Sequence, residues 1–209
     1  MTDALVIVFV KNMKLGTVKT RLAKTIGDVG AFEVYSELVG VTEKATQNLN
    51  CDKHIYFSNS ISESHWPIES KAVQQGDDLG EKMFNAFMDG FKAGYKKIVL
   101  IGSDLPTINS NHIMKGLDAL DKTDSVFGPA EDGGYYLIGL KSMVPQIFQN
   151  KPWSQPELLR TTIQELQNLN VSVSKLETLN DIDTYEDLIA SEFYKSNIKL
   201  QEKIQQLND

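Results

Sequence analysis

Two short, nearly continuous apolar runs constrain the fold of this chain more than any other feature. They span residues 5–10 and 97–101 and are rich in valine and isoleucine, which favour strands. Neither run alternates apolar and polar residues, as a strand with one solvated face would. Strands that are apolar on both faces are typical of parallel sheets with helices on both sides. We therefore predict that the two runs are neighbouring parallel strands at the centre of a sheet.

Strand-like and helix-like segments alternate along the rest of the chain, a pattern typical of α/β proteins. It predicts a three-layer α/β/α sandwich with a mainly parallel central sheet, built as one domain over residues 1–209. Further strands are predicted at residues 53–58, 71–74, 125–128, 133–140 and 171–176, and helices at 29–48, 79–94, 109–120 and 155–169. One long amphipathic helix is predicted at about 184–208. It is either a solvated terminal helix or a partner-binding helix that uses Ile198, Leu200, Ile204 and Leu207.

Composition and charge restrict the class of protein. A chain of 209 residues that is 41% hydrophobic can form an ordinary core. Its net charge of −7 argues against a nucleic-acid partner, which would require a basic face. The apolar run at residues 4–10 is far shorter than the ~20 residues of a membrane span and lacks the flanks of a signal peptide. With Cys51 as the single cysteine, the composition suits a cytoplasmic enzyme and leaves the oligomeric state open.

The segment Gly102-Ser103-Asp104-Leu105-Pro106 directly follows the second apolar run. The proline stops the strand, so we expect Asp104 at the carboxyl end of a central strand, where open α/β sheets bind ligands. A carboxylate in that position holds a divalent metal, caps a turn or stays solvated. Geometry alone leaves these three alternatives open.

A cationic loop follows the first apolar run. Residues 11–22 contain Lys11, Lys14, Lys19 and Arg21, together with Gly16, in a protein that is acidic overall. A phosphate chain needs cations to neutralise it, a glycine that lets the backbone approach, and amides at a helix start. The loop is therefore either a phosphate site or a solvated basic loop. Neither the P-loop pattern nor the Gly-x-Gly-x-x-Gly pattern of a Rossmann dinucleotide site is present.

Two further segments combine acids with turn residues. In Gly128-Pro129-Ala130-Glu131-Asp132-Gly133-Gly134-Tyr135-Tyr136, an acid beside paired glycines allows the backbone to approach a ligand closely. Asp-Gly is also a common hairpin turn, so that alternative stays open. In Asn180-Asp181-Ile182-Asp183-Thr184, one carboxylate can face a metal while the other caps a helix, or both can cap it.

These four segments, in this order, resemble the nucleotide-diphospho-sugar transferase (GT-A) superfamily. Lys-Thr-Arg-Leu, Gly-Ser-Asp-Leu-Pro, the long glycine-rich block and Asp-Ile-Asp-Thr-x-Glu-Asp-Leu are similar to a family of bacterial glycosyltransferases first catalogued as a domain of unknown function. Some members of that family are encoded near radical-SAM enzymes. The resemblance covers about residues 4–190, and the glycine-rich block is its most specific part. The first segment also resembles 2-phospholactate guanylyltransferase, and the last resembles molybdenum-cofactor nucleotidyltransferases.

The resemblance implies a role for each segment within a GT-A type fold. Asp104 would be a catalytic residue and the carboxylate of the metal site, with Asp181 or Asp183 as the second ligand and Asp132 next. Lys19, Arg21 and Asp132 would also be catalytic. The nucleotide would be bound by Lys11, Lys14, Gly16, Lys19, Thr20, Arg21, Gln75 and Gly80, and the sugar or acceptor by Asp132, Gly133, Gly134 and Tyr135. We expect Lys11, Lys19 and Arg21 to line one pocket opposite Asp104.

These roles imply a transferase that depends on Mg²⁺ or Mn²⁺ and uses a nucleotide-activated donor and a small-molecule acceptor. The family resemblance favours glycosyl transfer from a nucleotide sugar, which we take as the leading function. The cationic loop fits a triphosphate and so favours nucleotidyl transfer from a nucleoside triphosphate to a small phosphorylated acceptor. A non-catalytic nucleotide-binding module would keep the phosphate loop without a metal acid, and the four acids Asp104, Asp132, Asp181 and Asp183 argue against it.

Overall fold

A seven-stranded sheet forms the middle layer of the fold in the computed structural model, which describes residues 2–208. Its strands in chain order are β1 (Ala4–Val10), β2 (Asp52–Phe57), β3 (Ser70–Val73), β4 (Lys97–Ile101), β5 (Ser125–Pro129), β6 (Tyr135–Leu140) and β7 (Val173–Lys175). They lie in the order β3-β2-β1-β4-β6-β5-β7. Only β6 is antiparallel to its neighbours among the described strands. The prediction of an α/β protein with a mainly parallel central sheet is confirmed.

Helices cover both faces of this sheet. They are α1 (Thr20–Gln47), α2 (Leu79–Lys92), α3 (Ser110–Ala119), α4 (Leu158–Asn168), α5 (Tyr185–Ala190), α6 (Glu192–Lys195) and α7 (Ile198–Asn208), with a short 3₁₀ helix at Pro145–Ile147. Successive side chains of a strand lie on opposite faces. Val6 and Val8 of β1 therefore pack with α1 and α3, whereas Leu5 and Ile7 pack with α2 and α4. Within residues 2–208, none of the helices is long and apolar enough to cross a membrane.

The two apolar runs are neighbouring parallel strands at the centre of the sheet, as predicted. Ile7 of β1 is paired with Leu100 of β4, and Val8 is paired with Ile101. All four side chains are buried. Because parallel neighbours end at the same edge of a sheet, the segments that follow β1 and β4 emerge side by side. This arrangement brings the cationic loop next to Asp104.

The first helix begins earlier than the sequence pattern predicts. α1 starts at Thr20 instead of residue 29, and Gly27, with φ 73° and ψ 165°, interrupts it. A glycine in a sequence pattern favours a helix break, so the helical turn before Gly27 was not predicted. In that turn Leu22 and Ile26 are buried four positions apart, the spacing of one helix face. The last three residues of the cationic loop, 20–22, are therefore helical.

The prediction of one long helix over residues 184–208 is wrong, because that segment folds into α5, α6 and α7. Ser191 is extended at φ −74° and ψ 139°, and its hydroxyl accepts a hydrogen bond from the Tyr194 amide, which ends α5 and starts α6. α7 packs on α1 through Leu200 and Ile204, in a buried cluster that includes Leu22. Two of the four residues named for the partner-binding alternative are thus core residues of this chain and do not form an exposed face with Ile198 and Leu207.

Candidate active site

A buried lysine contacts three carboxylates at the carboxyl edge of the sheet. Lys19 Nζ lies 3.0 Å from Asp104 Oδ2, 3.1 Å from Asp183 Oδ1 and 3.8 Å from Asp181 Oδ2. Asp104 follows β4, Lys19 precedes α1, and the other two acids precede α5. The three acids that the sequence suggests as metal ligands therefore surround one ammonium group. We call Lys19, Asp104, Asp181 and Asp183 the acid cluster.

Lys19 holds this position with an unusual backbone conformation. Its φ of 45° and ψ of 49° lie in the left-handed region, which costs a residue other than glycine roughly 1–2 kcal/mol. Strain of this kind persists where the surroundings hold it, and it is often found at functional sites. The Lys19 side chain is only 5% exposed. Its ion pairs therefore hold a strained and buried cation in place.

Burial and charge oppose each other in the acid cluster. Burial has the largest effect on Lys19 and lowers its pKa, but the attraction of Asp104, Asp183 and Asp181 outweighs burial and raises the pKa. Burial likewise favours a higher pKa for Asp104, yet the charge of Lys19 keeps that pKa below its usual value. The pKa of Asp181 is raised to about 6, first by burial and then by the charge of Asp104. At neutral pH the cluster has more negative than positive charge, which a further cation would relieve.

Arg21 adds a second positive charge at the rim of the acid cluster. Its Nη1 lies 3.4 Å from Asp183 Oδ2, and its side chain is 68% exposed. An exposed pair of this kind contributes little to stability. The guanidinium group can therefore turn toward a ligand at small cost. Thr20, which precedes it as the first residue of α1, is also exposed.

Tyr35 joins the two loops that carry the site. Its hydroxyl accepts a hydrogen bond from the Lys11 amide at 2.9 Å and lies 2.8 Å from Ser103 Oγ. Tyr35 is buried, and burial raises its pKa to about 12. No sequence pattern indicates this role, because the partners lie 24 and 68 positions away along the chain.

The helix cap of α5 and the acid cluster use different side chains. Thr184 is the N-cap residue, and its hydroxyl accepts a hydrogen bond from the Asp187 amide. Asp187 Oδ2 in turn accepts hydrogen bonds from the amides of Asp183 and Thr184. The carboxylate of Asp183 is therefore not needed for the cap and contacts Lys19.

A polar cavity of about 570 Å³ lies where β1 and β2 end. Asn12 organises one wall, since its Oδ1 accepts hydrogen bonds from the Ser58 hydroxyl and from the amides of Asn59 and Ser60. The lining also contains Lys11, Lys14 and Thr17. We call this space the basic cavity. Its two ammonium groups and its hydroxyl groups are suited to a phosphate chain.

The cations expected in one pocket are divided between two places. Lys11 and Lys14 line the basic cavity, whereas Lys19 and Arg21 contact carboxylates of the acid cluster. Gly16, at φ 77°, lies between the two groups in the same loop. Electrostatics explains the division, because the three carboxylates attract the cations that lie nearest to them.

A second cavity, of about 250 Å³, extends from Asp104 toward β6 and α2. Three carboxylates reach it, those of Asp104, Asp132 and Asp181. Most of the remaining lining is apolar, and its members include Phe9, Leu79, Met83, Leu100, Ile138 and Trp153. We call this space the apolar cavity. Three residues that the resemblance assigns to sugar or acceptor binding, Asp132, Gly134 and Tyr135, contribute to its lining. Its apolar wall was not predicted, because it comes from segments that are far apart in the chain.

The glycine-rich segment is the hairpin loop between β5 and β6, so β6 begins at Tyr135 and not at residue 133. The Gly134 amide donates a hydrogen bond of 2.8 Å to Asp132 Oδ1. Gly133 has φ 88°, and a Cβ there would lie 2.0 Å from the carbonyl oxygen of Pro156. Asp132, Gly134 and Tyr135 line the apolar cavity, while Gly133 packs against the segment that precedes α4.

Two of the residues expected to bind the nucleotide, Gln75 and Gly80, lie elsewhere. Gln75 is exposed after β3, and its carbonyl accepts a hydrogen bond from Asn85 Nδ2. Gly80 is buried, and a Cβ there would lie 2.1 Å from the Phe148 carbonyl oxygen, so it allows α2 to pack closely on that segment. Neither residue lines the basic or the apolar cavity. The neighbour of Gly80, Leu79, lines the apolar cavity instead.

The acid cluster fits a divalent cation in its chemistry. Its donors are carboxylate oxygens, which Mg²⁺ and Mn²⁺ prefer, and Lys19 already places a cation among them. Within residues 2–208, no three His, Cys, Asp or Glu side chains form a group that could hold a metal alone. Mg²⁺ in phosphate sites needs no such cage, because it takes one or two carboxylates and completes its shell with waters and phosphates. Asp104 with Asp181 or Asp183 would supply that pair once Lys19 Nζ withdraws.

Comparison with known proteins identifies the family. The model of a family described as "uncharacterized protein conserved in bacteria (DUF2064)" matches residues 42–155. A crystal structure of a candidate nucleotide-diphospho-sugar transferase from Desulfovibrio desulfuricans G20 is 30% identical, with 99% of each chain covered and a TM-score of 0.85. The chain belongs to the DUF2064 family, and its resemblance to a family first catalogued as a domain of unknown function is confirmed. No curated protein matches it.

More distant solved structures share the fold. The inositol-1-phosphate CTP transferase from T. maritima is 14% identical, covers 98% of this chain and 96% of its own, and has a TM-score of 0.60. The CMP:2-keto-3-deoxy-manno-octonic acid synthetase complexed with CTP is 10% identical, with 97% and 100% covered and a TM-score of 0.58. At these identities the likeness concerns the fold alone.

Proposed function

We propose that this protein is a metal-dependent transferase that moves a glycosyl group from a nucleotide sugar to a small acceptor. The observation that carries the proposal is the acid cluster, where Asp104 and Asp183 meet the strained, buried Lys19 at the end of the central strands. The similarity to the candidate nucleotide-diphospho-sugar transferase from Desulfovibrio desulfuricans supports the same class.

The donor phosphates are proposed to lie between the basic cavity and the acid cluster. Lys11 and Lys14 would neutralise them from one side, and Arg21 would reach them from the start of α1. Lys19 would contact them after it leaves the carboxylates. Positioning and neutralisation of charge would then provide most of the lowering of the barrier.

In the proposed reaction an acceptor hydroxyl oxygen forms a bond with the anomeric carbon of the donor sugar. The bond between that carbon and the diphosphate oxygen breaks, and the nucleoside diphosphate leaves with its electron pair. The hydroxyl proton passes to a carboxylate, for which we propose Asp132, because it lines the apolar cavity together with Asp104. Bound Mg²⁺ or Mn²⁺ on Asp104 and either Asp181 or Asp183 would stabilise negative charge on the diphosphate.

Nucleotidyl transfer is the second candidate, and the basic cavity favours it. A nucleoside triphosphate carries more negative charge than a nucleotide sugar, and Lys11 and Lys14 are placed to neutralise it. In that reaction the acceptor would attack the α-phosphorus and pyrophosphate would leave. A non-catalytic nucleotide-binding module would need the basic cavity but not the acid cluster.

Product analysis separates these functions. The protein is incubated with nucleotide sugars or nucleoside triphosphates, MnCl₂ and a panel of small alcohols. Released nucleoside diphosphate supports glycosyl transfer, released pyrophosphate supports nucleotidyl transfer, and binding without either product supports the module. Binding itself is measured by thermal shift, since a ligand at about 100 times its Kd adds about 2.7 kcal/mol, or roughly 5–10 °C for a domain of this size.

The variant Asp104→Asn tests the metal assignment. It should keep the fold, because Lys19 retains two carboxylate partners, but it should lose the Mn²⁺ dependence of nucleotide binding. Asp118→Asn on the exposed face of α3 is the matched control and should behave as the wild type. Metal-dependent binding that persists in Asp104→Asn would contradict the proposal.

A further inference from the structure

The apolar cavity has the size of a site for one small ring. Its volume is about 250 Å³. A dry cavity of about 150 Å³ already binds benzene, whereas sites for drug-sized ligands have about 300–1,000 Å³. Phe9, Trp153 and Met83 provide aromatic and aliphatic contact surface in it. An apolar group of roughly one ring, with a short substituent, therefore fits.

The charges at this cavity disfavour a phosphate group in the metal-free protein. Its lining includes the carboxylates of Asp104, Asp132 and Asp181, and within the part of the chain that the structure describes it includes no Lys, Arg or His. A phosphate there would meet the carboxylate of Asp132 and those of Asp104 and Asp181, whose charge the single Lys19 ammonium offsets only in part. The basic cavity, lined by Lys11 and Lys14, has the opposite character. The two cavities beside the acid cluster thus select ligands of different charge.

Tyr135 supplies a polar group that lacks a partner. Its hydroxyl is buried, and within residues 2–208 it is the one buried side-chain polar atom without a hydrogen bond. The ring packs edge-on against Phe127, with the ring centroids 5.2 Å apart, so its position is fixed by the core. Buried polar groups are nearly always paired. Because the hydroxyl is closed off from solvent, it does not serve a ligand directly, and the polar atom of a ligand would instead meet the carboxylates that line the cavity.

We propose that the apolar cavity binds the body of the acceptor, and that this acceptor is a small, unphosphorylated alcohol or phenol with an apolar ring or chain. That the ligand is the acceptor rests on the proposed function, whereas its chemical class rests on the lining of the cavity. A donor sugar remains attached to a diphosphate, which the carboxylates of this cavity would repel. A nucleobase carries hydrogen-bonding groups along its edges. In the described lining, Ser154 and Gln155 are the only side chains with an amide or an aliphatic hydroxyl group, so a base would find few uncharged side-chain partners there.

The ligand class is tested with three probes that share one ring: benzyl alcohol, toluene and benzyl phosphate. Trp153 lines the cavity and reports binding by its fluorescence, while Trp66 is buried in the opposite layer with its indole N–H bonded to Thr46. Benzyl alcohol should quench the emission in a saturable way. Benzyl phosphate should bind at least about tenfold more weakly because of the carboxylates. Equal or tighter binding of benzyl phosphate would overturn the proposal.

Two variants locate the binding. Leu79→Glu adds a charge at the cavity but should fold, because Leu79 is 46% exposed and an acid is favourable in the first turn of α2. It should weaken benzyl alcohol binding about tenfold or more, whereas Ile68→Glu, at a residue 90% exposed and outside the cavity, should not. Asp132→Asn should reduce the preference for benzyl alcohol over toluene, because it removes a carboxylate of the lining that can accept the hydroxyl proton. An unchanged preference, or no effect of Leu79→Glu, would contradict the proposed site.

Competition separates this inference from the proposed function. If uridine, cytidine, adenosine or guanosine displaces benzyl alcohol, the cavity binds the base and the inference is wrong. If nucleotides with Mn²⁺ bind nowhere on the protein, the proposed function fails, while the measured preference among the three probes still decides the ligand class of the cavity.

Discussion

Lys19 Nζ lies 3.1 Å from Asp183 Oδ1, although the two residues are 164 positions apart in the chain. The contact connects the start of α1 to the segment that precedes α5. Together with the contact to Asp104 it places an ammonium group among the carboxylates that are suited to a divalent ion. Under the proposed function, metal and nucleotide must therefore displace an internal cation before the site is complete.

Replacing Lys19 with Met should expose this competition. The free energy of unfolding at pH 7 should fall by roughly 1.5–3 kcal/mol, because partly exposed carboxylates lose their charge-assisted bonds to one cation. Added MnCl₂ should raise the melting temperature of Lys19→Met more than that of the wild type, since the ion no longer competes with the ammonium group. Thermal unfolding with and without MnCl₂ measures both effects. Lys96→Met, which removes an exposed pair with Asp3, is the control and should show neither. An equal response to MnCl₂ in Lys19→Met and the wild type would contradict the competition.

Replacing Arg21 with Ala should weaken nucleotide binding with little effect on folding. The side chain is 68% exposed, so its loss removes little packing, whereas a charge-assisted hydrogen bond to phosphate contributes about 1.5–3 kcal/mol. Calorimetric titration should show a Kd that is roughly ten- to a hundredfold higher. Lys24→Ala, an exposed cation on the same helix, should leave the Kd unchanged. An unchanged Kd in Arg21→Ala would remove this residue from the site.

Replacing Gly133 with Ala should destabilise the hairpin between β5 and β6. The residue has φ 88°, and a Cβ would lie 2.0 Å from the Pro156 carbonyl oxygen. Strain and overpacking together should lower the free energy of unfolding by about 2 kcal/mol or more. Gly40→Ala in α1, where a Cβ would meet nothing within 4 Å, should instead stabilise by about 0.5–1 kcal/mol. Urea unfolding of both variants checks the contrast, and similar effects would show that the hairpin does not require glycine.

The central strands could be predicted because their signal is local. Ile7 and Val99 lie on opposite faces of the sheet, and both are apolar and buried. An apolar run of this kind is visible in the sequence without knowing which strand pairs with it. The position of Asp104 follows in the same way from a strand that ends before Pro106. The breaks in the terminal segment were missed because Ser191, which forms the cap, lies inside an apolar periodicity that continues past it.

The arrangement of the site depends on contacts between distant segments, which no local pattern contains. Sequence reasoning could name Lys19 and Asp183 but not their ion pair, and it expected Lys19 to line a pocket with Lys11. Asp132, Gly134 and Tyr135, expected to bind the sugar or acceptor, do line the apolar cavity. Its apolar wall was missed for the same reason as the ion pair, because Phe9 and Trp153 come together only through the fold. Single residues of a motif are visible in a sequence, whereas the charge and shape of a cavity arise from the packing of several elements.

Replacing Asp181 with Asn should stabilise the metal-free protein at neutral pH but not at acid pH. The pKa of Asp181 is raised from 3.8 to about 6, first by burial and then by Asp104. Between those values the folded state holds this proton more tightly than the unfolded state, so the contribution of Asp181 to stability is full below about pH 4 and is lost as the pH rises through 6.

At pH 7 the wild type therefore carries the cost of an ionised, partly buried carboxylate, and the Asp181→Asn variant would not, because an amide has no charge to desolvate. The gain in the free energy of unfolding should be roughly 1–3 kcal/mol at pH 7 and should vanish near pH 4. Urea unfolding from pH 4 to 7 without divalent ions, with Asp118→Asn as the exposed control on α3, measures this difference. A gain that does not change with pH would show that ionisation of Asp181 is not its cause. A loss of stability at pH 7 would show that Lys19 compensates the charge of Asp181 in full. The cluster would then lack the excess negative charge that a metal would neutralise.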